Sequence, residues 1–200
     1  VPASGRAQVA DSAQVSSTGD IDVRIDATLR DWASEDATTE FCGKYAAGGQ
    51  QSWLLYSSFG SLVWRWSADG TNDNTATATM PHIPDAGQRL ALRVTHDVDN
   101  GAAGNTVPFH TGPSIDGPWQ QLGDPVTAAG TTSIFDSTAV LRVGDAGTSF
   151  SNPYGKIWAF QTYNGISGTV AADIDFRIQD VADTSFTGAD GLTWTVFAGA

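Results

Sequence analysis

Apolar and polar residues alternate with a period of two through most of the chain. Ile21, Val23, Ile25, Ala27 and Leu29 are apolar, while the interleaved Asp20, Asp22, Arg24, Asp26 and Thr28 are polar. Successive side chains of an extended backbone point to opposite faces, so this run predicts a strand with one face on a core and the other toward water. The clearest stretch spans 89–123. Leu90, Leu92, Val94, His96 and Val98 share one face there, Ala91, Arg93, Thr95, Asp97 and Asp99 share the other, and Asn100-Gly101 follows with residues that tolerate positive φ. The run 105–112 and, after the Asp116-Gly117 turn, the segment through Trp119 and Leu122 complete three consecutive antiparallel strands, a meander.

The same alternation predicts strands at 8–9, 39–45, 52–57, 62–67, 75–80, 139–143, 156–163, 170–178, 184–186 and 193–197, separated by turn formers such as Gly48-Gly49, Asp69-Gly70 and Asn164-Gly165. No run of ten residues places apolar positions three and four apart, so very little helix is expected and the chain reads as all-β. That many strands in 200 residues without a linker or a low-complexity run predict one domain, 1–200, with 1–4 as a flexible end. The strand census requires two stacked sheets or a barrel. Twenty aromatic residues and a 40% hydrophobic content provide a core that needs no disulfide, and the single Cys42 is expected as a buried strand residue.

Charge acts by exclusion. A net charge of −12, with ten Lys and Arg scattered along the chain, opposes nucleic acid and anionic membrane surfaces as partners. No run of eighteen apolar residues and no charged-then-apolar leader is present, so no membrane span is expected. The chain starts at Val1 rather than methionine, as a processed or excised piece would, which leaves secretion open. Motifs for acyl transfer, nucleotide binding and structural zinc are missing. His96, on the apolar face of its strand, is expected as a hydrogen-bonded core histidine.

Several blocks resemble a known superfamily: GDIDVRIDATLRDW, QQSWLLYSSFGSLVWRWSADGT, the long run from RVTHDVDNG to GTTSIF, AVLRVGDAG and TSFTGADGLTWTV. In their order, over residues 5–197, they are similar to the concanavalin A-like lectin/glucanase superfamily. More narrowly, they resemble the laminin-G-like domains of minor tail and other virion surface proteins of phages that infect actinobacteria. The resemblance implies a two-sheet antiparallel jelly-roll sandwich with one concave face, serving as a binding or structural module and in some relatives as a glycosidase. Some laminin-G-like relatives bind calcium.

Glycoside hydrolysis needs two carboxyl groups facing one bond, about 5–5.5 Å apart for retention or 6.5–9.5 Å for inversion. The glucanase relatives carry them in a Glu-x-Asp-x-x-Glu strand, and the only two glutamates here, Glu35 and Glu40, have that spacing with Asp36 one position early. In a regular strand the two would face opposite ways, so both read as part of a polar loop before the Phe41 strand. Asp20, Asp22 and Asp26 share a face, but Arg24 and Arg30 alternate with them, which reads as the solvated, charge-balanced surface of an outer strand. No catalytic residue and no enzymatic activity are therefore expected.

Two binding sites are candidates. Asp97, Asp99 and Asn100 gather oxygen ligands at a strand end, the chemistry a calcium ion prefers, and Asp69, Asn72, Asp73 and Asn74 crowd a second loop; backbone turn geometry is the alternative role of both. Among the tryptophans, Trp64 and Trp66 share a face with Leu62 and read as core, and Trp119 pins its hairpin. Trp158, Phe160 and Lys156 fall on one face of their strand and are the candidate sugar platform. The expected function is a non-catalytic virion surface protein, in a minor tail or as a capsid-attached fibre or decoration, serving assembly, display or adhesion to a host-envelope glycan. It would pair with other virion structural proteins in a homo-oligomer or symmetric assembly. The alternative is a carbohydrate-binding module of a secreted bacterial protein, or a glycoside hydrolase.

Overall fold

The computed structural model describes residues 5–32, 38–82, 84–148, 150–179 and 183–197. The predicted flexible end at 1–4, and Glu35 with Asp36, lie outside the described residues. In chain order the strands are β1 (Arg6–Val9), β2 (Ile21–Leu29), β3 (Thr38–Ala46), β4 (Gln50–Ser58), β5 (Ser61–Ser67), β6 (Asp73–Thr77), β7 (Arg89–His96) and β8 (Gly104–Val107). They continue with β9 (Phe109–Gly112), β10 (Gln120–Gln121), β11 (Val126–Ala129), β12 (Leu141–Val143), β13 (Gly155–Asn164), β14 (Thr169–Asp175), β15 (Ser185–Thr187) and β16 (Thr193–Phe197). The helical content among the described residues is two single 3-10 turns, Ala13–Val15 and Phe176–Ile178.

Two antiparallel sheets stack face to face. One runs β15-β16-β1-β12-β3-β4-β5-β6, the other β10-β9-β7-β2-β13-β14, and β11 pairs with β8 in a separate ribbon. The expected two-sheet sandwich is thus the observed one. The predicted meander is β7-β9-β10, but the run 105–112 is split between two sheets. Pro108 causes the split, because it has no N–H for the ladder. Before it, Gly104–Val107 pairs with β11; after it, Phe109–Gly112 pairs with β7.

The core lies between the sheets. β2 contributes the buried Ile21, Val23, Ile25, Ala27 and Leu29, the face that alternation assigned to it. Trp53 and Trp64 stack across neighbouring strands with centroids 5.4 Å apart and planes 22° from parallel. Trp64 Nε1 donates to His96 Nδ1 at 3.2 Å, so the proton of a neutral His96 sits on Nε2, which faces Asn105 Oδ1 at 3.4 Å. Trp66 packs its ring 4.4 Å from the same imidazole. Trp64, Trp66, His96 and Cys42 all occupy the buried positions expected of them.

A second, smaller apolar cluster of Leu54, Tyr56, Val63 and Ala146, with Tyr45 and Phe150 against it, forms on the outer side of the larger sheet. Glu40 belongs to this layer, not to a polar loop. It lies within β3, has no solvent exposure, and its Oε2 accepts the Ala146 N–H at 2.7 Å. Burial pushes its carboxyl above the ordinary range, against the pull of that backbone N–H. A carboxylate tied to a backbone N–H explains the acid at this position without a catalytic role.

Burial pushes His82 and His96 down to about 4, from an ordinary 6.5. Between those values the unfolded chain carries protons that the folded chain refuses, so stability falls as pH drops through that window. The loss is on the order of 3 kcal/mol per histidine across the window. Urea unfolding from pH 7 to pH 4 is expected to show this slope, and His96→Gln to reduce it by about one proton. A slope unchanged in the variant would contradict a neutral, buried His96.

Candidate functional site

The face of the six-stranded sheet that points away from the core carries an uncommon concentration of charge and aromatic rings. β2 is at its centre, between β7 and β13. Asp22 stands opposite Thr95 and Tyr163, Arg24 opposite Arg93 and Gln161, Asp26 opposite Ala91 and Ala159, and Thr28 opposite Arg89 and Lys156. Polar residues in alternation with the core residues therefore become neighbours across three strands.

Asp22 organises one end of this face. Although it points away from the core, it has no solvent exposure. Arg24 grips its two oxygens through Nε at 3.2 Å and Nη2 at 2.8 Å, and Arg93 does the same at 3.0 and 2.9 Å. Two segments close over the group. The β13–β14 turn adds the Ser167 N–H, 3.2 Å from Asp22 Oδ2, while Ser167 Oγ accepts from Arg93 at 3.2 Å. From the opposite side comes Trp119, whose ring centroid is 5.8 Å from the Arg24 guanidinium carbon and 5.9 Å from that of Arg93. Trp119 fits because residue 112 is glycine: a Cβ there would lie 3.1 Å from the indole. The expected pinning of the hairpin by Trp119 takes place through this contact.

The solvated surface of an outer strand, expected for this run, is therefore corrected: β2 is central, and Asp22 and Asp26 are both fully buried. Burial alone would raise the Asp22 carboxyl, but the hydrogen bonds and charges of Arg24 and Arg93 outweigh it and hold the group below the usual carboxylate range. A carboxylate held ionised in this way is no proton donor, and Asp20 is turned aside to accept the Val98 N–H at 2.9 Å. The Asp20 and Asp22 pair does not form a hydrolytic couple.

Around the clamp the polar groups form a chain. Arg24 lies 4.4 Å from the Tyr163 ring centroid, Tyr163 donates its hydroxyl proton to Gln161 Oε1 at 2.9 Å, and Gln161 Nε2 donates to Asp173 at 3.2 Å. Burial, with help from Asp190 and Asp116, raises the Asp173 carboxyl against the pull of Gln161. Arginine forks and amide N–H groups thus stand beside carboxylate and phenolic oxygens.

Further along β2, Asp26 accepts a bidentate pair from Arg89, with Nε at 2.8 Å and Nη2 at 2.5 Å. The Arg89 guanidinium carbon and Lys156 Nζ lie 5.5 and 5.4 Å from the Trp158 ring centroid, and Trp158 Nε1 donates to Thr28 Oγ1 at 2.8 Å. Trp158 and Lys156 therefore reach this outer face. Phe160 does not. The β2–β13 register shifts between Ile157 and Ala159, so strict alternation fails and Phe160 faces the core, packed edge-on against Trp194.

Asp97, Asp99 and Asn100 are together at the end of β7, where their oxygens close backbone turns. Asp97 accepts the Asp99 N–H at 3.2 Å, Asp99 the Gly101 N–H at 3.3 Å, and Asn100 the Ala102 N–H at 2.9 Å. Asp69 likewise accepts the N–H groups of Thr71 and Asn72 in the second loop. Among the described residues no three His, Cys, Asp or Glu side chains converge as metal ligands.

Arg24, Arg93, Tyr163, Gln161 and Trp119 are members of the face that no motif announced. For Arg24 and Arg93 the signal in the sequence is a pair of alternating strands, β2 and β7, whose polar positions repeatedly hold Asp and Arg where an exposed strand could hold anything; Tyr163, Gln161 and Trp119 carry no such signal.

No family model and no curated protein matches the chain. Solved structures do. A Bacteroides ovatus protein provisionally assigned as carbohydrate-binding superposes on 99% of this chain with a TM-score of 0.65 at 10% identity, and the chain spans 59% of that protein's length. The CBM40 of a Ruminococcus gnavus IT-sialidase, bound to α2,3-sialyllactose, gives 0.54 at 15% identity over 83% of this chain and 90% of the other. A botulinum neurotoxin type C structure, connected with two ganglioside molecules in cell entry, gives 0.53 at 10% identity over 85% and 37%. At these identities the likeness establishes the fold, a lectin-like antiparallel β-sandwich.

Asp22→Asn leaves two guanidinium groups side by side with no counter-charge between them. Removing one partner of a buried ion pair costs about 3–5 kcal/mol, and a loss of that order is expected in the urea unfolding free energy. A loss below about 1 kcal/mol, the level of a surface pair, would show that Asp22 does not hold the face together.

Proposed function

We propose that the chain is a non-catalytic glycan-binding module and that the outer face of its six-stranded sheet is the sugar platform. The observation that carries this reading is the clamp of Arg24 and Arg93 on the buried Asp22 beneath Trp119 and beside Tyr163. A sugar presents an apolar face and a fringe of hydroxyls that both donate and accept. Indole and phenol rings suit the first; the guanidinium, amide and carboxylate groups of Arg24, Arg93, Gln161 and Asp173 suit the second. Because Asp22 and Ser167 already fix the arginines, binding need not order them, which lowers the entropic cost of association.

The names of the similar structures, two of them tied to sialyllactose or gangliosides, support a glycan as the ligand class. Both settings suggested by sequence use the same chemistry. Resemblance to virion surface domains supports display on a phage particle, and the carbohydrate-binding structural neighbours favour a module of a secreted bacterial protein.

Glycan-array screening of the chain, followed by calorimetric titration of each ligand captured, tests the reading. Trp119→Ala is expected to weaken binding at least tenfold while the folded circular dichroism spectrum persists. An array that captures no glycan, or a variant that binds as tightly as the parent chain, would overturn it.

A further inference from the structure

The two clamped aspartates are copies of one arrangement. Asp22 is gripped by Arg93, which stands opposite residue 24, and Asp26 by Arg89, which stands opposite residue 28. In both cases an arginine of β7 reaches diagonally back to an aspartate of β2 with no solvent exposure. In both cases the residue two after the aspartate meets an aromatic ring: Arg24 lies over Tyr163, and Thr28 accepts the Trp158 indole N–H. Carboxylate, arginine fork and aromatic ring thus recur four residues further on, about 13 Å along an extended strand.

Opposite Asp26 stand Ala91 and Ala159, each with a single methyl as its side chain. The second aromatic is present because of the bulge at Ile157 and Ala159, which puts Trp158 on the same side of the sheet as Trp119. Bulges commonly re-aim a side chain at a functional edge of a sheet.

From this repetition we infer that the platform has two subsites along β2, and that its ligand is a linear oligosaccharide of at least three units rather than one terminal sugar. The inference rests on the glycan-binding reading above. No single pyranose ring touches points about 13 Å apart, whereas a short chain lying along the strand engages both aromatic rings and both arginine forks. The second engagement is intramolecular once the first has formed, so affinity grows with chain length until both subsites are filled.

Calorimetric titration with defined ladders of one to six units, of glucose, N-acetylglucosamine, mannose and sialic acid oligomers, decides the matter. Within the ladder that binds, affinity is expected to rise at least tenfold from one unit to four and then level off. Trp158→Ala is expected to remove most of that rise. Should this variant fail to fold, Thr28→Val, which removes the hydroxyl that orients the indole, is expected to narrow the gap between one and four units by at least threefold. Equal affinity for one unit and four, or a length dependence untouched by either variant, would overturn the second subsite while glycan binding stands. Failure of every ladder and of the array would overturn both.

Discussion

An ionised carboxylate without access to water has to find its compensation within the protein, and Asp22 imposes that demand on the middle of a sheet. Two guanidinium forks, one from its own strand and one from β7, together with a backbone N–H from the β13–β14 turn, satisfy it. Each partner is thereby placed. The register of β2 against β7 is fixed by side chains on the outer face as well as by the core beneath, and the turn after β13 is drawn down over the sheet. Trp119 then covers the arginines, made possible by the missing side chain at Gly112. The cradle is a result of electrostatic bookkeeping at one residue.

Much of this architecture was legible because alternation is a local signal. The five apolar residues of β2 lie in the core as read, and so do Trp64, Trp66 and His96, since each occupies the apolar phase of a regular strand. Legibility ended where the strands stop being regular. Phe160 and Trp158 share a phase in the sequence, and a bulge separates them onto opposite sides of the sheet. That bulge arises in the pairing of β13 with β2, more than a hundred residues away in the chain, so no local pattern reveals it. Pro108 is the opposite case. Its missing N–H is visible in the sequence, and the change of partner sheet follows at that position.

The candidate site was half legible for a related reason. The alternating acids and arginines of β2 were visible as a polar face, but their burial was not, because the groups that cover them arrive from 113–119 and 165–168. Reading those acids as solvated followed from taking β2 as an outer strand, and strand order is a non-local property. Glu40 teaches the same lesson on the larger sheet, where a carboxylate read as part of a loop is a buried anchor for the segment around Ala146.

The two sides of β2 answer to different requirements, one to packing volume and the other to hydrogen-bond valence. Trp119, Tyr163 and Gln161 surround the clamp without being the charge it neutralises. They form a rim whose residues can change while the apolar interior stays as it is. Asp22 cannot be changed in the same manner, since two guanidinium groups and the Ser167 N–H all depend on its charge. Variation on this face is therefore least costly at the periphery of the cradle, around an ionic keystone that its neighbours cannot spare.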